Sequence, residues 1–198
     1  MVQDFFLSRG KKDHFILRAT TFLTIHSIGG PLVTYILHEL AKKGASGEQI
    51  LHEINYQLCA RLPTEMFLAA IFLDISLERT RVTLWNAGLP DVLLIRKGAI
   101  QHYFPSGMLP LGISRELDIA SATINISLEK EDHLYAFSGG IIEAKDNNGD
   151  MFGMNRLEAF LEKMVAGKSA LNDLIVLLNE YVKSSTHKDD ITLVEVQI

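Results

Sequence analysis

FLAAIFLDISLERTRVTLWNA, Phe67 to Ala87, holds two runs rich in β-branched and aromatic residues, Phe67 to Ser76 and Arg81 to Ala87. The polar link Leu77-Glu78-Arg79-Thr80 joins them, and together they predict a β-hairpin. A second hairpin is read just downstream, where Val92 to Arg96 and Ile100 to Phe104 flank Lys97-Gly98-Ala99. Ile119 to Leu128 and Leu134 to Phe137 are further strand candidates, and Ile191 to Gln197 alternates as a last one.

Outside this β-rich middle the period changes to that of a helix. Upstream, Gly29-Gly30-Pro31 opens a helix, since proline suits a first turn, and Leu32, Ile36, Leu37 and Leu40 recur at helical spacing. Ser46 caps a second helix with Gln49 as its capping-box partner; Ile50, Leu51, Ile54 and Leu58 form its apolar stripe. Downstream, Asn155 to Val165 and Ser169 to Val182 read as amphipathic helices. At the N-terminus, Gln3 to Leu7 is a short apolar run, and His14 to Leu23 reads as a strand. Two helix pairs around a long run of antiparallel strands favour the α+β class, as an α/β/β/α sandwich of two mostly antiparallel sheets flanked by the helix pairs.

The 198 residues fit a single domain, 1–198, large enough to bury a substantial core. Hydrophobic residues make up 47%, which argues against disorder. The net charge of -5 gives no basic field for nucleic acid or an anionic membrane. No apolar run reaches the length of a membrane span, and the N-terminus lacks a signal-peptide layout. The single cysteine, Cys59, reads as a buried structural thiol and suits a reducing compartment. A cytoplasmic protein is expected.

Several short motifs, taken in order, resemble the SpoIIE-like branch of the PPM, or metal-dependent, serine/threonine protein phosphatases. The family's Asn-Ala-Gly-His stretch corresponds to Asn86-Ala87-Gly88-Leu89, and its Gly-x-Pro-Leu-Gly element to Gly107 through Gly112. Its Thr-Asp-Gly-x-x-Glu-Ala corresponds to Ser138-Gly139-Gly140-Ile141-Ile142-Glu143-Ala144, and its Gly-x-x-Phe-Gly pair to Gly149 through Gly153. The closing Asp-Asp-Ile-Thr-Leu stands complete at Asp189 through Leu193. The N-terminal part is more eroded. The family's Gly-Gly-Asp-Phe-Tyr-Asp resembles Val2 through Leu7, and its Asp-Val-Ser-Gly-His-Gly lies over Phe22 through Ser27, with His26 matching. The chain starts near the first motif, where family domains carry another strand before it.

The resemblance implies two Mg²⁺ or Mn²⁺ ions held by aspartates, which position an attacking water and neutralise the phosphoryl group. The chain has Asp4, Asp189 and Asp190 at three of the acidic positions, but Leu7, Phe22 and Gly139 at three others. No Asp or Glu lies between His14 and His38, so shifting the alignment does not restore the second motif. Two divalent ions about 4 Å apart repel by roughly 16 kcal/mol at an effective dielectric near 20. A bridging carboxylate offsets that repulsion, and an apolar side chain does not.

The expectation is therefore that no catalytic set is intact and no metal cofactor is bound, with Mg or Mn entering only alongside residual activity. Asp189-Asp190 has two readings, a single-cation site or backbone hydrogen bonding by Asp190 at the start of the last strand. His26 reads as structural or solvated, and Gly29-Gly30 as a plain turn rather than a phosphate cradle. Asn86, Gly88 and Gly112 point to backbone roles such as turns at strand ends, Gly140 is a further family-motif position, and Trp85 points to the core. The functional expectation is a regulatory protein-binding module of bacterial partner switching or stress response. Its implied partner is a STAS-domain anti-anti-sigma factor or a response-regulator or sensor domain, and a homodimer is compatible. The competing reading is a weak or altered metal-dependent phosphoserine/phosphothreonine phosphatase.

Overall fold

In the computed structural model the described residues are 3–9, 14–21, 29–182 and 191–198, with the backbone alone for those up to 31. They form two compact units, residues 1–91 with 104–130, and 92–103 with 131–198. Each unit carries one antiparallel sheet and one long helix pair, so the α+β expectation holds.

In the first unit the sheet order is β1 (Gln3–Arg9), β2 (His14–Thr21), β3 (Ala70–Ser76), β4 (Arg81–Ala87) and β7 (Ile124–Ser127). The hairpin read from Phe67 to Ala87 is present as β3 and β4, in register Phe72 to Trp85 and Asp74 to Thr83. Arg79 takes a positive φ of 54° in its turn. Two helices, α1 (Gly29–Lys42) and α2 (Gly47–Arg61), pack on one face of this sheet. Ser46 caps α2 through the reciprocal capping box its sequence predicts. Ile50, Leu51, Ile54 and Leu58 are buried against Ala70, Phe72, Trp85 and Ala87, which a pleated strand turns to the same side. Gly47 is fixed by that packing: a Cβ there would stand 2.4 Å from the Trp85 ring. The indole N–H of Trp85 donates to Thr123 Oγ1 at 2.9 Å, so its one polar atom is satisfied.

In the second unit the sheet order is β6 (Ala99–Phe104), β5 (Val92–Arg96), β8 (His133–Phe137) and β9 (Leu193–Gln197). A one-turn helix, α3 (Gly139–Ile142), follows β8 directly, and the pair α4 (Met154–Val165) and α5 (Leu171–Val182) covers one sheet face. Leu157, Phe160, Leu161, Leu174 and Leu178 pack there on Leu93, Ile95, Tyr135 and Phe137.

Four expectations need correction. Gly29-Gly30, read as a plain turn, instead forms the first turn of α1. Of the strand read at Ile119 to Leu128, only Ile124–Ser127 is extended; Asp118 accepts from the backbone and hydroxyl of Ser121, and the chain turns instead. The strand read from Phe67 begins at Ala70, with Leu68 in a single bridge to Leu111. Cys59 is half-buried rather than buried.

Two features hold β8, the strand that leads into α3. Arg96 on β5 makes a bidentate pair with Asp132, Nε to Oδ1 at 2.8 Å and Nη2 to Oδ2 at 2.7 Å, and Asp132 is fully buried. Asp132→Ala would remove the buried carboxylate of this ion pair, and an expected loss of about 3–5 kcal/mol is read by urea denaturation. At the next strand position but two, the Tyr135 hydroxyl donates to Glu195 Oε1 at 2.6 Å. Burial first, and the Glu195 carboxylate second, raise the Tyr135 pKa well above its ordinary value. The raised pKa means the folded state favours neutral tyrosine, so this contribution is complete below the unfolded value near 10 and is lost as pH rises past it. The fall in stability measured above about pH 10 is expected to be shallower in Tyr135→Phe.

Candidate functional site

The residues of the Ser138–Ala144 and Ile191–Leu193 stretches come together in the second unit. β8 ends at Phe137, and the fully buried Ser138 follows it. Its backbone N–H donates to Thr192 O at 3.0 Å, and its Oγ accepts the Thr192 N–H at 2.9 Å. This reciprocal pair extends the β8–β9 ladder, in register Phe137 to Leu193, by one residue. It fixes the backbone that leads into Gly139 beside Thr192.

Gly139 and Gly140 begin α3, and the Glu143 N–H closes the turn on Gly139 O at 2.9 Å. Gly139 lies outside the left-handed region, so its backbone asks for no glycine. Its side-chain space has a different occupant. A Cβ built on Gly139 would stand 2.8 Å from Glu143 Oε1. Side chains on a helix lean toward its N-terminus, and the exposed Glu143 folds back one turn over the place where the matched aspartate would start. The sequence reading named Glu143 only as part of a motif. Its spacing of four from Gly139 is the signal that could have placed its carboxylate there.

Asn86, Gly88 and Gly112 build the turns of the first unit. Asn86 is fully buried at the end of β4; its Oδ1 accepts the Leu89 N–H at 3.0 Å, and its Nδ2 donates to Leu89 O and Pro90 O. The amide side chain thus closes the turn that leaves the strand. Gly88 has φ +82°, and a Cβ there would meet Pro110 Cγ at 2.4 Å. Gly112, at φ +91°, donates its N–H to Asn55 Oδ1 at 2.9 Å and packs on Leu58 and Leu62. Leu89 is buried. Asn86, Gly88 and Gly112 thus each take part in a turn or a close backbone approach.

Of the remaining positions, Asp4 and Leu7 lie in β1, paired with Thr20 and Leu17. Phe22, His26, Asp189 and Asp190 lie outside the described residues. Among the described residues, no three Asp, Glu, His or Cys side chains stand close enough to share a metal ion. Within α3 and its surroundings, the carboxylate aimed at the Gly139 position is that of Glu143, which offers a hard cation one charged oxygen donor where the matched motif has aspartate. No described helix is long and apolar enough to cross a membrane.

The family model described as "Stage II sporulation protein E (SpoIIE)" matches residues 30–198. The chain is 23% identical over 173 residues to the phosphoserine phosphatase RsbP of Bacillus subtilis (strain 168), covering 83% of this chain and 41% of RsbP. It is 24% identical over 119 residues to the phosphoserine phosphatase RsbU of the same organism, covering 60% of this chain and 35% of RsbU. The chain therefore spans about two-fifths or less of the length of these curated relatives. Among solved structures it resembles the SiaA-PP2C domain of Pseudomonas aeruginosa, with TM-score 0.72 and 17% identity, covering 96% of this chain and 77% of that one. It likewise resembles the PP2C phosphatase domain of SpoIIE from Bacillus subtilis with a fragment of its regulatory domain. There the TM-score is 0.73 and the identity 15%, over 99% of this chain and 56% of that one.

Removing the Ser138 hydroxyl tests the clamp. Ser138→Ala leaves the Thr192 N–H buried without that acceptor, and an expected loss of about 1–3 kcal/mol is measurable by urea denaturation. A loss below about 0.5 kcal/mol, the level of a neutral surface change, would show that the clamp is not holding the two segments.

Proposed function

The chain belongs to the SpoIIE family, and on that premise we propose that it is a catalytically degenerate PPM-type phosphatase domain that regulates by binding a protein in bacterial signalling. The observation that carries this reading is Gly139. Ser138 and Thr192 hold the motif's backbone in place, yet the position matched to a metal-binding aspartate has no side chain. Leu7 and Phe22 stand at two further positions matched to acidic residues, so a second ion would lack the charge that offsets its repulsion. A protein-binding surface depends on shape rather than on those carboxylates and outlasts their loss. The partner is proposed to be a STAS-domain anti-anti-sigma factor or a response-regulator or sensor domain, and the setting the cytoplasm.

Glu143 favours a second reading, a weak or altered phosphatase using one metal ion. Its carboxylate overlies Gly139 and supplies an oxygen ligand of the kind Mg²⁺ and Mn²⁺ accept. When bound, a divalent ion would neutralise a phosphoryl group and lower the pKa of a water. Glu143 would hold that ion in place of the absent aspartate.

Hydrolysis of p-nitrophenyl phosphate and of a serine-phosphorylated STAS-domain protein, each with Mn²⁺, separates the two. The regulatory reading expects no metal-dependent release above the protein-free rate. Metal-dependent turnover that Glu143→Gln abolishes would overturn it in favour of the single-ion enzyme.

Gly139→Asp provides a further prediction. The new side chain displaces only the exposed end of Glu143, which can rotate away, and two neighbouring carboxylates then repel until a cation joins them. Affinity for one Mn²⁺ is expected to rise, with no gain in hydrolysis because Leu7 and Phe22 are unchanged. Calorimetry on the variant checks the first part and the phosphatase assay the second; full turnover from this one change would contradict the proposed loss of catalysis.

A further inference from the structure

We infer that the α4–α5 face of the second unit is a two-fold interface through which two copies of this chain associate. A groove of about 570 Å³ runs between the two helices, floored by Phe160, Val176 and Leu177. α5 already buries Leu174, Leu178 and Val182 against its own sheet. Val176 is nonetheless 55% exposed and Leu177 37% exposed. Such side chains on the outer side of an amphipathic helix gain free energy only when something covers them.

The charges along the groove identify the cover. α4 lines it with Arg156 and Lys163, and α5 with Asp173 and Glu180. The helices run antiparallel: the Arg156 guanidinium, at the start of α4, stands 4.8 Å from the ring centre of Tyr181, at the end of α5. Lys163 is therefore level with Asp173, and Arg156 with Glu180. A two-fold axis laid along the groove turns α4 of one copy onto α5 of the other without changing level. Lys163 then meets the other copy's Asp173, and Arg156 the other copy's Glu180, each pair repeated by symmetry around an apolar centre. An axis across the groove would instead set Arg156 and Lys163, the groove-lining charges of α4, against the same two residues of the other copy. The face is thus complementary to its own copy, the condition for an isologous dimer, and it has the apolar centre and charged rim of a protein interface. This inference goes beyond the proposed loss of catalysis and does not rest on it.

Sedimentation equilibrium of the 198-residue chain across the micromolar range is the test. The wild-type chain is expected to pass from monomer to dimer with concentration. Val176→Glu is expected to keep its circular dichroism, because Val176 is exposed, and to remain monomeric. Lys163→Glu and Asp173→Lys are each expected to weaken association about tenfold or more by setting like charges together. An equimolar mixture of the two restores it, because each reversed charge then meets its opposite. Asp173 Oδ2 also accepts the Ala170 N–H at the start of α5, so Val176→Glu serves as the variant that leaves the helix start intact. A wild-type chain that stays monomeric throughout would overturn the inference. So would a dimer unmoved by Val176→Glu, or a charge-reversed mixture no tighter than its separate components.

Discussion

Ser138 and Thr192 exchange two hydrogen bonds at the point where β8 hands over to α3, and much of the second unit follows from that exchange. The bonds are buried, so neither segment can leave without stranding polar backbone that water would otherwise satisfy. β8 enters them already anchored by the Arg96–Asp132 pair on one side and the Tyr135–Glu195 contact on the other. α3 leaves them with its first residue, Gly139, fixed in place. The Ser138–Thr192 exchange itself asks only for main-chain atoms and one hydroxyl. It asks for no carboxylate at position 139.

The first unit shows the same division. Asn86 closes a turn with its amide, Gly88 admits Pro110, and Gly112 meets Asn55 and Leu58. These positions match the family's motifs and have complete mechanical explanations. A scaffold built from turns and close approaches can persist when the acidic side chains beside it are replaced. The family match reaches across residues 30–198, and Leu89 and Gly139 stand within that span.

Much of the fold was legible because local chemistry and tertiary packing agree. The Phe67–Ala87 alternation, the Ser46–Gln49 capping box and the stripe from Ile50 to Leu58 each had one low-energy outcome, and the structure adopts it. Ile119 to Leu128 misled because its apolar residues alternate, while the side chain of Asp118 just before it captures Ser121 and makes a turn cheaper than a strand. The Gly139 site was half legible. Its missing side chain is plain in the sequence, but the carboxylate of Glu143 reaches it only through the geometry of one helical turn. The self-complementary charges of α4 and α5 were not legible, because their levels depend on how the two helices run past each other.

The central claim is that the chain retains the family's backbone at these motifs without the charge that two metal ions require. Calorimetric titration of the wild-type chain with Mn²⁺ addresses it without assuming a substrate. The account predicts no binding, or one weak site that Glu143→Gln abolishes. Two sites of micromolar affinity, unaffected by Glu143→Gln, would contradict it.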